Sequence, residues 1–231
     1  MTKLWPHNIC PADETLVELR RRSKSCSGRD FLHTPLDMVR FVIIDLETTG
    51  FEADNGDEVI SLGAVLVHKN KICMESSLDL LVDPCREIPE NIIKLTGIDN
   101  DMVKGRPSVY NAVIQFLTLL EDGVIAGHAL GFDLGFINYK LSLRRAGKIE
   151  SLIFDTKIVA RYLYPLLPDY SLDSLLKACG IQPAGRHTAL GDCLLTAGVL
   201  LHQLAELRHR GINSLHQLFN VLDDRKSTIC F

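Results

Sequence analysis

No C-x-x-C pair occurs among the seven cysteines (Cys10, Cys26, Cys73, Cys85, Cys179, Cys193 and Cys230), and their number is odd. The pattern excludes a disulfide framework and a thiolate zinc site, so the thiols are read as reduced, several of them buried. No apolar run approaches the roughly 18 to 20 residues of a membrane span. The first residues carry Pro6, His7 and Pro11 without the long apolar stretch of a signal peptide, so a cytoplasmic location and no membrane partner are expected. Positive charge is not in excess either, because 25 Lys and Arg face 29 Asp and Glu, a formal net charge of −4. No global field draws in a polyanion, and affinity for nucleic acid must come from local basic patches and bound metal. Internal repeats and low-complexity tracts are also missing.

What remains is a chain of 231 residues, long enough for one full core with appendages. Residues 1–38 read as a helical segment and linker, 39–210 as the main domain, and 211–231 as a short helix and tail. The stretch from Pro11 to Arg22 begins with acids and ends with bases, as a helix dipole favours. The cations Arg20, Arg21, Arg22, Lys24 and Arg29 read as a solvated helix end. From Phe41 the pattern alternates. Phe41-Val42-Ile43-Ile44 is a strand buried on both faces, ending in Asp45. Val59 to Val67 and Ile72 to Val82 form a hairpin across His68-Lys69-Asn70-Lys71. A helix starting at Pro107 and a strand from Gly123 to Ala126 come next. Further helices are expected near Phe132 to Ala146, Thr156 to Leu163, Ser171 to Cys179 and Thr188 to His209, with a strand at Leu152 to Phe154. Three strands followed by αβ repeats predict an α/β fold with a mixed central sheet flanked by helices, the first strand in the centre.

Three short blocks carry chemistry. In Asp45-Leu46-Glu47-Thr48-Thr49-Gly50 the two acids are two apart on a strand, so they share a face and can grip one ion or flank two. The following turn is expected to aim backbone N–H groups at a ligand. Taken alone, the same residues equally describe a strand ending at a polar turn. Asp133, in Gly127-His128-Ala129-Leu130-Gly131-Phe132-Asp133, falls just after a strand and at a helix start, where α/β sheets bind ligands, and also where a first-turn acid is favoured. His128 reads as a partly buried structural residue. His187 and Asp192 are five apart, about 140° on a helix, so both face one site only if His187 lies in the preceding loop. Four carboxylates gathered together would repel unless divalent cations sat among them. That chemistry suits phosphate.

Together D-L-E-T-T-G, G-H-A-L-G-F-D-L-G-F and H-T-A-L-G-D resemble the three Exo motifs of the DnaQ-like, DEDDh-type 3′-5′ exonucleases, which include the proofreading epsilon subunit of bacterial DNA polymerase III. The resemblance spans about residues 39–205, with lesser marks at Leu95-Thr96-Gly97-Ile98, Phe154-Asp155-Thr156 and Ser171-Leu172-Asp173-Ser174-Leu175. It implies a ribonuclease H-like fold, two divalent cations (Mg²⁺ or Mn²⁺) on Asp45, Glu47, Asp133 and Asp192, and His187 as general base. It also implies that Leu46, Thr48, Thr96 and Phe132 meet the terminal nucleotide. Ala129 stands where the family usually has Asn, and Thr96 where relatives often have His.

The expected reaction is removal of nucleoside 5′-monophosphates from a free 3′ end of DNA, the substrate preferred because D-x-E-T-T-G resembles the epsilon-type members, with single-stranded DNA as the preferred partner. The enzymatic alternative is a 3′-5′ exoribonuclease similar to RNase T or oligoribonuclease. The alternative of another class is a non-catalytic nucleic-acid-binding or polymerase-accessory subunit. His216-Gln217-Leu218-Phe219 resembles a sliding-clamp-binding peptide, and Leu215, Leu218, Phe219 and Leu222 equally make one face of an amphipathic helix.

Overall fold

The computed structural model describes residues 13–23 and 29–223. Cys10, Lys24, Cys26 and Cys230 lie outside them. Helices α1 (Asp13–Ser23) and α2 (Arg29–Leu32) precede β1 (Phe41–Thr48), β2 (Val59–His68) and β3 (Lys71–Leu81). Two short helices that the sequence did not signal, α3 (Glu90–Thr96) and α4 (Asn100–Val103), lead to α5 (Val109–Leu120) and β4 (Val124–Gly127). Then come α6 (Gly131–Leu143), β5 (Ile153–Asp155), α7 (Thr156–Leu163), α8 (Leu172–Ala178), α9 (Ala189–His209) and α10 (Leu215–Asp223).

The sheet order is β3-β2-β1-β4-β5, with β1 central as expected. β1 runs antiparallel to β2 and parallel to β4, which makes the sheet mixed. The β2–β3 hairpin turns on Lys69 (φ 52°) and Asn70 (φ 57°), two left-handed residues that match strand twist in a two-residue loop. α5 begins after Ser108, two residues past the Pro107 start that the sequence signalled, because Ser108 is its N-cap.

β1 alternates cleanly. Val42, Ile44 and Leu46 pack with Phe116 and Leu120 of α5 and Phe136 of α6. Phe41 and Ile43 face the other way, onto Ala197, Leu200 and Leu204 of α9. The reading of an apolar strand ending in Asp45 is corrected: β2 pairs with β1 past both acids, as far as Thr48 opposite Val59. The ladder to β4, in contrast, stops at Ile43 opposite Ala126. From Asp45 onward, one edge of the central strand is open, and the site forms in that notch.

α9 corrects a second expectation. Its 21 residues are long and apolar enough, by length and composition, to cross a membrane. The sequence hid this because Asp192, His202 and Gln203 interrupt the run. Here α9 is a core helix: Val199 and Leu200 are buried, and buried Gln203 donates to the Thr156 carbonyl at 2.8 Å. The ends of the described chain add to the same core. Leu16 of α1 is fully buried against the α5 side. Leu215, Leu218 and Leu222 of α10 are buried beneath α9, with Phe219 packed beside them, so the amphipathic-face reading describes this helix. Arg21 pairs with Glu18 on exposed α1 at 3.2 Å, as a solvated helix face would. Among the described cysteines all are free thiols: Cys193 is buried, Cys73 and Cys179 half-buried, Cys85 exposed.

Candidate active site

Asp45 and Glu47 project from one face of β1, toward the amino-terminal end of α9. That approach depends on Gly63, the cross-strand partner of Asp45, where a Cβ would lie 2.2 Å from the Ala189 backbone. With no side chain in the way, α9 seats directly on the sheet and delivers Asp192 in its first turn. Thr188 caps the helix, its hydroxyl accepting from the Gly191 N–H at 3.2 Å. Oxygens of Asp45, Glu47 and Asp192 then lie within 4.8 Å of one another.

Asp133 enters from α6 and is 4% exposed. Its Oδ1 accepts from the Leu46 N–H at 3.0 Å, which the missing β4 ladder has left without a strand partner. The fourth acid therefore stands beside the triad, with one oxygen committed to the backbone. The turn that presents it is held from β5. Asp155 accepts from the amides of Ala129 (3.1 Å), Leu130 (3.0 Å) and Lys157 (2.8 Å). Ala129 is left-handed at φ 58°, a conformation that asparagine tolerates better than alanine, so Asp155 carries the loop in its place. His128 is the structural residue expected, bonded to the Thr156 hydroxyl at 3.0 Å and with its pKa lowered by burial.

The turn after Glu47 uses the Thr49 amide within the loop itself. Thr49 N–H donates to the Glu58 carbonyl (2.8 Å), and the Thr49 hydroxyl ties Asp57 (3.0 Å) and Glu58 N–H (3.0 Å) together. Thr48 is buried and donates to the Gly50 carbonyl at 2.6 Å. The threonines are spent on closing the loop.

Thr96 is buried too, donating to the Ile92 carbonyl (2.9 Å) and accepting from Ile98 N–H (3.1 Å). It lines a cavity of about 500 Å³ with Ser61, Leu81, Ile98, Thr188 and Ala189. Ser61 is the cross-strand partner of Glu47, so this cavity opens beside the carboxylates. Phe132 is half-buried, in tilted ring contact with Phe136 (5.0 Å between centroids) and Phe51 (5.8 Å). Sequence reasoning missed Phe51, which is 81% exposed on the turn after the first motif. It also missed Arg186, whose Nη1 pairs with Asp192 Oδ2 while its Nε pairs with Asp173 at 2.8 Å. The only signal for either was adjacency to a motif. His187 lies in the loop as expected, exposed and left-handed (φ 61°), with its backbone N–H on Asp192 Oδ2 at 3.3 Å.

Burial, reinforced by Asp133, Asp192 and Glu47, raises the Asp45 pKa well above the ordinary range, while Arg186 opposes the rise. Burial and Asp192 push Glu47 up to about 7. Burial also takes Asp133 to about 7 against the lowering effect of its backbone hydrogen bonds. Asp192 Oδ1 is buried with no hydrogen-bond partner. An all-oxygen, anionic donor set with an orphaned oxygen fits a hard divalent cation. A stability prediction follows. Folding raises these acids, so the folded chain retains protons the unfolded chain has lost, and stability falls as pH rises from about 4 through 7. In EDTA the melting temperature is expected to drop by about 5 °C between pH 5 and 8. Mg²⁺ should restore it at pH 8 and do little at pH 5. A flat EDTA profile in differential scanning calorimetry would contradict the cluster's electrostatics.

A family model described as Exonuclease (RNase_T) matches residues 42–200. The chain belongs to this exonuclease family. The DNA polymerase III subunit epsilon of Aquifex aeolicus (strain VF5) is 38% identical over 179 residues, 77% of this chain and 87% of that protein. The DNA polymerase III PolC-type protein of Caldanaerobacter subterraneus subsp. tengcongensis is 34% identical over 187 residues, 80% of this chain. This exonuclease-family chain spans 13% of that PolC-type protein's length. Among solved structures, exonuclease X in complex with 5′ overhanging duplex DNA superposes with a TM-score of 0.57 at 25% identity, over 74% of this chain and 93% of that one. The nuclease domain of 3′hExo, a DEDDh family member bound to rAMP, gives 0.64 at 21% identity, over 75% and 95%. The mixed sheet is thus the ribonuclease H-like fold of the exonuclease family.

Proposed function

We propose that this chain is a metal-dependent 3′-5′ exonuclease that hydrolyses the terminal phosphodiester of DNA and releases nucleoside 5′-monophosphates. The observation that carries the reading is the convergence of Asp45, Glu47 and Asp192 within 4.8 Å, beside an Asp192 oxygen that no protein group satisfies. Two divalent cations, Mg²⁺ or Mn²⁺, on Asp45, Glu47, Asp133 and Asp192 would lower the pKa of the attacking water and neutralise charge on the departing 3′ oxygen. The remaining work belongs to the chain. Leu46 N–H holds Asp133 in register. The imidazole of His187, turning in from solvent on its loop, accepts the water's proton. The terminal nucleotide occupies the cavity beside Ser61, Thr96, Ile98 and Thr188, and preceding bases stack on Phe51 and Phe132.

The relatives named as DNA polymerase III components favour DNA as substrate, a role in replication or repair in the cytoplasm, and association with a polymerase. The test is release of label from 3′-labelled single-stranded DNA, duplex DNA and RNA, with Mg²⁺, Mn²⁺ or EDTA. Mononucleotides from single-stranded DNA, lost in EDTA, are the expected result. Faster release from RNA would make the chain an exoribonuclease, and binding without turnover would make it an accessory subunit. Stacking on an aromatic is worth about 1 to 3 kcal/mol per base. Phe51→Ala should therefore raise KM for single-stranded DNA about ten-fold with kcat little changed. A loss confined to kcat in steady-state kinetics would remove Phe51 from strand binding.

A further inference from the structure

Arg186 is the cation that opposes the cluster's negative charge at both Asp45 and Glu47. Its guanidinium bridges two acids of different standing. Asp192 belongs to the converging triad and is 7% exposed, whereas Asp173 lies on the first turn of α8 with its side chain 68% exposed. A planar fork with donors on separate edges holds both at once. The neighbouring residue is His187, whose own N–H reaches the same Asp192 oxygen. Gly185 at φ 78° precedes them, and Gly191 gives the loop room, since a Cβ there would lie 1.9 Å from the Gly185 carbonyl oxygen. The loop is therefore tied to the cluster by a side chain that is not itself a ligand type.

We propose that Arg186 is a resident counterion that competes with a divalent cation for Asp192, with Asp173 as the place where its guanidinium is held once Asp192 is taken. The inference rests on the reading of the carboxylates as a metal site. Two like-charged groups cannot share the Asp192 carboxylate without strong repulsion, so loading the site moves Arg186 off Asp192 and leaves its guanidinium on Asp173. Arg186 is thus a positioning residue. It keeps the acids partly neutralised before loading, at the cost of cation affinity.

The sign of the effect separates this role from that of a brace. Mn²⁺ binding at low ionic strength, followed by electron paramagnetic resonance and calorimetry, is measured on the full chain and its variants. Arg186→Gln should bind Mn²⁺ tighter than wild type, on the order of ten-fold. Asp173→Asn should bind it more weakly, because Arg186 then has only Asp192, and that loss should vanish in the double variant. Equal or weaker binding by Arg186→Gln, or an Asp173→Asn loss that persists in the double variant, overturns the proposal. Wild type that binds no Mn²⁺, or binding untouched by Asp45→Asn, would instead overturn the metal-site reading, and the proposal with it.

Discussion

Asp45→Asn should lose nucleotide release by about a thousand-fold or more, some 4 kcal/mol of transition-state stabilisation, while the metal-free protein becomes more stable. The two effects have one origin. Asp45 sits where burial and three further carboxylates disfavour its charge, and Arg186 offsets only part of that. Converting the acid to an amide of the same shape removes the repulsion and the ligand together. At pH 8 in EDTA the variant should melt about 3 to 6 °C above wild type, and Mg²⁺ should no longer raise its melting temperature. A merely structural acid would behave oppositely, losing stability on substitution because its partners would be left unsatisfied. Nucleotide release and calorimetry on the same preparation decide between them. An Asp45→Asn protein that is less stable in EDTA and still hydrolyses DNA would end the catalytic reading.

His187→Ala should lower kcat by about 10² to 10⁴-fold, the usual worth of a positioned general base, and should leave Mn²⁺ affinity unchanged. The structure explains why these separate. The ring of His187 is exposed and none of the triad's oxygens depends on it, while its backbone N–H holds Asp192 regardless of side chain. In wild type the rate should also fall on acidification through about pH 7, because Glu47 and Asp133, raised to about 7, take up protons there and cation binding weakens. Saturating Mn²⁺ holds those carboxylates ionised, so the fall should shrink as Mn²⁺ is raised. A His187→Ala variant that loses less than ten-fold in kcat at saturating Mn²⁺ would assign proton transfer elsewhere.

Several elements were legible because their signals are local. The apolar run at Phe41, the hairpin at Lys69-Asn70 and the periodic helix from Val109 each specify themselves through side-chain spacing, and burial merely completes them. The central place of β1 followed from three leading strands and the αβ units after them. The errors share a cause. Asp45 looked like the end of a strand because a charged residue interrupts the apolar run, yet pairing with β2 carries β1 on to Thr48. The Thr49 amide looked free because the sequence does not reveal that Glu58 lies opposite. α3 and α4 carried too little periodicity to be seen.

Residue type and order alone determined which side chains could do the chemistry, since acids at Asp45, Glu47, Asp133 and Asp192 and a loop histidine at His187 are written in three short blocks. Only the folded arrangement decided how they meet. The gap in the β1–β4 ladder set Asp133 on the Leu46 amide, and the bare face of Gly63 let α9 come close enough to join Asp192 to the strand acids. Those contacts lie between residues as far apart as Asp45 and Asp192, and no local pattern encodes the distance between two surfaces before they pack. The same reason hid Arg186 and Phe51, whose importance comes from what the fold places opposite them.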